Sequence, residues 1–101
     1  MAFDMYVGDR HEAIHDQDEY IFSFVSEAPS EFPQLNALWS KFYSDFNLYP
    51  DQAAALVHEL LALHNHYGPQ GGKGMALLVR RLAQFFSAAA CANIGVRCSG
   101  D

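Results

Sequence analysis

FPQLNALWSKFYSDFNLYPDQAAALVHELLALHNHY, residues 32–67, carries two apolar stripes one after the other. Phe32, Leu35, Leu38, Trp39, Phe42, Tyr43 and Phe46 recur at steps of three and four, which places these large apolar groups along one side of a helix. Ala53, Leu56, Val57, Leu60, Leu61, His64 and Tyr67 repeat the spacing behind Pro50. Proline suits the first turn of a helix, where its missing N–H would lack a partner anyway. The two stripes must face each other or a common third surface, so a helical core is expected.

Working outward, the spacing predicts a first helix over about 31–43, with Ser30 as N-cap, Pro33 in the first turn and Glu31 favourably placed on the helix dipole. Residues 44–49 read as a connector. The second helix, 50–67, is expected to stop at Gly68, a residue suited to a left-handed C-cap, with Pro69 blocking continuation and GPQGGKG, 68–74, forming a loop. A third helix over about 75–91 follows, with Met75, Leu78, Val79, Leu82, Phe85, Phe86 and Ala89 on one stripe and Arg80, Arg81, Gln84 and Ser87 on the far side. Toward the amino terminus, Phe3, Met5 and Val7 alternate with Ala2, Asp4 and Tyr6, the period of a strand over 2–7. Residues 94–98 read as a second strand, expected beside the first and antiparallel to it. Tyr20–Val25, YIFSFV, is aromatic and β-branched and is assigned to a strand over 20–25, with a helix starting at Asp18 as the competing reading. Residues 10–19 are polar and fit a short exposed helix or a loop. The fold expected is α+β, three helices on a small sheet, in one domain spanning 1–101.

Half of the residues are hydrophobic and 14% are aromatic, enough for a core without metal or disulfide support. Charge is uneven. Residues 1–31 hold eight of the twelve acids against one base, Arg10, whereas the formal net charge of the whole chain is −6. Such a surface disfavours direct binding of nucleic acid and favours a basic protein as partner. Asp9, Glu12, Asp16, Asp18, Glu19, Glu27 and Glu31 are therefore the candidate partner-binding residues. No apolar run reaches bilayer length in this reading, and charges interrupt residues 1–10 where a secretory signal needs an apolar core, so a cytoplasmic protein is expected. Cys91 and Cys98 then read as free thiols.

No motif for catalysis is complete. His58-Glu59 begins a His-Glu-x-x-His zinc motif, but Ala62 stands where the second histidine is required. His64 falls on the apolar stripe and reads as a hydrogen-bonded core histidine. His11 and His15 are weak metal candidates: on a helix they would stack at i and i+4. In GPQGGKG the Gly-Lys pair is followed by Gly74 instead of Ser or Thr, which breaks the phosphate-loop pattern. No cofactor is expected.

FPQL at 32–35, YPDQAAALVHEL at 49–60 and FFSAA at 85–89 resemble a family of short, uncharacterised bacterial proteins, a likeness that covers nearly the whole chain and carries over no activity. In size and acidity the chain is also similar to immunity proteins that neutralise basic toxins. The function expected is a non-catalytic acidic protein-binding module of this immunity type. The alternative is a small metal-dependent or acid/base enzyme using His11, His15, His58 or His66, and Leu77 on the outer side of the third helix allows a homodimer.

Overall fold

Apolar side chains at every second position make residues near the amino terminus a strand with one oily face, and Gly8, at φ 59°, lets the chain reverse. The computed structural model describes residues 2–100, the Ala2 side chain excepted. Strands β1 (Ala2–Val7) and β2 (Arg10–His15) form an antiparallel hairpin. A 3₁₀ turn (Asp16–Asp18), α1 (Ile21–Glu27), α2 (Pro33–Ser40), β3 (Phe46–Leu48), α3 (Pro50–Ala92) and β4 (Val96–Ser99) follow. The fold is α+β: among the described residues the strands make one antiparallel sheet in the order β2-β1-β4-β3, with β4 beside β1 as expected.

Register divides the sheet into two faces. Phe3, Met5 and Val7 share one face with Ile14, Cys98, Val96 and Leu48, and all of these join one buried core with the helices. Asp4, Tyr6, His11, Asn47 and Arg97 share the other, each exposed or half-buried, with the small Ala13 buried opposite Asp4; among the described residues no helix packs over this row. An antiparallel sheet tolerates water on one face in this way.

Four local readings are corrected. Residues 21–27 are helix α1 instead of a strand: Ile21, Phe22 and Val25 turn to the core at helical spacing, and Phe22 stacks on Trp39 with ring centroids 4.5 Å apart. For so short an apolar run, packing against α2 and α3 overrides β propensity. Residues 10–15 are neither helix nor loop but strand β2, polar because one edge and one face of it are wet. The connector 44–49 contains β3, whose Phe46 pairs with Cys98. The first helix is shorter than expected, Pro33–Ser40, and its N-cap is Phe32 instead of Ser30; Phe42 beyond its end is still buried and stacks on Phe3 at 4.8 Å.

The largest departure is in α3. Helical conformation continues through Gly68 and Pro69 and breaks only at Gly72, where φ 69° and ψ −163° suit a residue without Cβ. Pro69 forfeits one bond, toward the carbonyl of Asn65, and does not turn the chain. A straight helix of 43 residues would span roughly 65 Å, yet the longest extent of the molecule is 34 Å, so the two arms fold back at Gly72. By length and composition alone α3 is long and apolar enough to cross a membrane, with a mean hydropathy of 1.3 over its most apolar 18 residues. Its apolar side is occupied by the core: Ala53, Leu56, Leu60 and Leu63 on the first arm and Met75, Leu78, Val79, Leu82, Phe85, Phe86 and Ala89 on the second are buried. Leu63 takes the inward place expected of Leu61, which is 54% exposed, and His64 is exposed, lying over Gly68 instead of in the core.

Candidate functional site on the open sheet face

Three registers place four side chains in one row. Asn47 on β3 faces Arg97 on β4, Arg97 faces Tyr6 on β1, and Tyr6 faces His11 on β2, so the row crosses every strand on the uncovered face. The Arg97 guanidinium sits 4.4 Å from the Tyr6 ring centroid, a cation–π distance. On the other side of Tyr6 the His11 ring lies 4.9 Å away, and His11 Nε2 is 2.8 Å from Asp4 Oδ1. Beside the row, β3 and β4 border a shallow depression of about 300 Å³ lined by Asp45, Phe46, Asn47, Arg97, Cys98 and Ser99.

This face can stack and hydrogen-bond a ligand. Ser99 faces Asp4 from β4, and His11 Nε2 reaches the Asp4 carboxylate from β2. Alternation along residues 2–7 already put Asp4 and Tyr6 on the wet side. Arg97 and Asn47 had no such signal, because their places depend on strands that come together only in the fold.

The acidic segment divides. Glu12 lies on the helix side of the sheet, and Asp18 in the 3₁₀ turn points to the same cation: Arg81 on α3 places Nε 2.9 Å from Glu12 Oε1 and Nη2 3.3 Å from Asp18 Oδ2. Arg81 Nη2 also donates to the Ala13 carbonyl at 3.0 Å. The Ala13 N–H donates to Glu12 Oε1 and the His15 N–H to Asp18 Oδ2. The exposed side of Arg81 expected from the helical stripe is therefore occupied by the other end of the chain. Glu19 is half-buried, and burial first, then a hydrogen bond and the charge of Asp16, raise its carboxyl above the usual range. Asp16 is exposed; so are Asp9 in the β1–β2 turn, Glu27 at the end of α1 and Glu31 before α2. The seven carboxylates thus sit on several elements instead of forming one cluster.

The metal readings lose their geometry. His11 and His15 lie on an extended strand, where four residues span roughly 13 Å instead of one helical turn. His58, His64 and His66 are exposed on α3. Among the described residues no group of three or more His, Cys, Asp or Glu side chains is placed to hold an ion. Glu59 is committed elsewhere: its Oε2 accepts from the Gln34 N–H at 3.0 Å and its Oε1 from the Leu35 N–H at 2.9 Å, capping α2 from a distant part of the chain. Cys91 is exposed, while burial pushes the Cys98 thiol up to about 12, so it stays protonated at neutral pH.

Comparison with protein-family models, curated proteins and solved structures returned no match.

Proposed function

We propose that this chain is a non-catalytic, acidic protein-binding domain of the cytoplasm, of the immunity type, whose partner presents a basic surface. The observation that carries the reading is how the surface charges are deployed. Lys41 lies 5.4 Å over the Phe46 ring and Arg97 4.4 Å from the Tyr6 ring, so two of the six bases rest on the protein's own aromatics, and Arg81 is held by Glu12 and Asp18. Asp9, Glu27 and Glu31 project into water, in a chain of net charge −6. A field of this sign attracts basic surfaces over about a Debye length, speeds encounter and selects among partners even where each exposed carboxylate adds modest affinity.

The test is affinity purification from the native host followed by titration of each captured protein at several salt concentrations. The expected result is a basic protein whose association rate falls steeply with salt. It should fall further with a triple variant, Asp9→Asn, Glu27→Gln and Glu31→Gln, that melts like the parent. Capture of neutral or acidic proteins alone, or binding insensitive to salt and to the triple variant, would refute the proposal.

A further inference from the structure

The two edges of the sheet differ. On β2 three outward peptide groups at one end of the strand are occupied: the Ala13 N–H by Glu12, the Ala13 carbonyl by Arg81 and the His15 N–H by Asp18. Side chains that fill an edge in this way keep a further strand from pairing there.

The opposite edge, β3, has no such cover. The Gly100 N–H is shared between the Ser44 carbonyl at 3.1 Å and Asp45 Oδ1 at 3.2 Å, two residues beyond Phe46/Cys98 in the β3–β4 register, which makes 46/98 and 48/96 the hydrogen-bonded pairs of the ladder, while the Ser44 N–H donates to the Lys41 carbonyl. Asp45 and Asn47 alternate with these, so their peptide groups point away from β4, and among the described residues no hydrogen bond reaches them. The edge ends at Tyr49, whose N–H donates to Gln52 Oε1. Tyr43 and Tyr49 flank it at 66% and 72% exposure, and Asp45 and Asn47 line the adjoining depression of about 300 Å³. Exposed tyrosines are the side-chain type enriched where proteins meet.

Resting on the acidic-module reading above, we infer that β3 accepts an extended, basic segment of the partner as a fifth strand. The backbone of Asn47 supplies the ladder bonds, and Asp45 receives a Lys or Arg side chain. Asp45 Oδ1 is fixed by the Gly100 N–H at 3.2 Å, and the neighbouring cations, Lys41 and Arg97, lie on the Phe46 and Tyr6 rings. A second copy of the chain is disfavoured as occupant because both copies carry −6. Only three residues of β3 are paired, so the ladder is short and the flanking tyrosines and Asp45 determine which segment binds.

The experiment selects binders for the full-length chain from a displayed library of random heptapeptides and maps each synthetic binder by amide exchange. Enriched peptides are expected to alternate in character, to carry Lys or Arg, and to slow exchange at Asn47 by about tenfold or more, as a newly bonded amide requires. Asn47→Pro removes the outward N–H without touching the ladder to β4, and should weaken binding by about tenfold. Should that variant fail to fold, the same loss on N-methylating alternate residues of the peptide decides the matter. Basic peptides that protect amides elsewhere would overturn the edge inference and leave the acidic-module reading standing. Acidic or neutral peptides that protect Asn47 would overturn that reading together with the assignment of Asp45. No enrichment, or Asn47 protection that appears only as the chain itself dimerises, overturns the inference.

Discussion

Removing the Glu59 carboxylate should destabilise the fold without affecting any metal or catalytic property. The amino end of α2 accounts for all of its amides: Pro33 has none, Gln34 and Leu35 donate to Glu59 at 3.0 and 2.9 Å, and Asn36 donates to the Phe32 carbonyl at 2.8 Å. Glu59→Ala strands two of these donors, one on a residue with no exposed surface, Leu35. Hydrogen bonds to a charged acceptor contribute about 1.5 kcal/mol each at the low end of their range, so the pair should cost about 2–3 kcal/mol. In a domain of ~100 residues that lowers Tm by roughly 10–20 °C. Glu59→Gln keeps one acceptor oxygen and should lose about half as much. Urea and thermal melts followed by circular dichroism measure the loss, and faster exchange confined to the Gln34 and Leu35 amides locates it. His58→Ala, exposed on the neighbouring position, should change stability by less than ~0.5 kcal/mol. A Glu59→Ala variant as stable as the parent, or zinc that raises the parent's Tm and not that of Glu59→Gln, would refute the capping role.

Arg81→Met should cost about 1–2 kcal/mol, a value kept low because the side chain is 42% exposed, and should raise light scattering on concentration as the β2 edge is uncovered. Gly72→Ala forces an L side chain into φ 69° and should lower stability by about 1 kcal/mol or more in urea melts, although nothing lies within 4 Å of the added Cβ. A thiol reagent at neutral pH should modify Cys91 in the native protein and reach Cys98 only on unfolding; equal rates would refute its burial. Because the Cys98 pKa is raised from 9.0 to about 12 in the folded state, its contribution to stability is intact below pH 9 and is lost as pH rises toward 12. Cys98→Ala should therefore show a shallower decline over that window.

Elements with a long stripe were legible, because burial of one helical face imposes a spacing that no other structure reproduces over three or more turns. Met75 to Ala89 is such a case, and each residue of that stripe is buried. Short elements were not. YIFSFV has too few residues for its period to be read, and the neighbours that make it a helix, Trp39 on α2 and Tyr67 on α3, the latter stacked with Phe24 at 5.0 Å, come from later in the chain. Proline and glycine at 68–74 marked the right place for a reversal and the wrong residue. The reversal needs a positive φ, and among the candidate glycines only Gly72 adopts one.

The same locality limits what charge counting can say about a surface. The carboxylates of residues 1–31 look like a free block only while Arg81 is far away, and Arg81 binds Ala13 and Asp18 across 68 and 63 positions of sequence. Once it does, Glu12 and Asp18 cover the β2 edge at Ala13 and His15, and Asp9, Glu27 and Glu31 remain exposed. A partner attracted by that field must still find a place to dock, and the pattern of side chains on the edges decides where. Reversing Arg81 to Glu should therefore do more than subtract a cation: with three carboxylates converging on one edge, β2 should separate from α3 while β3 keeps its ladder to β4. Faster amide exchange at Ala13 and His15, with exchange unchanged across 96–99, would be the signature. Uniform loss of protection throughout the sheet would mean instead that the cluster supports the whole fold and does not guard one edge of it.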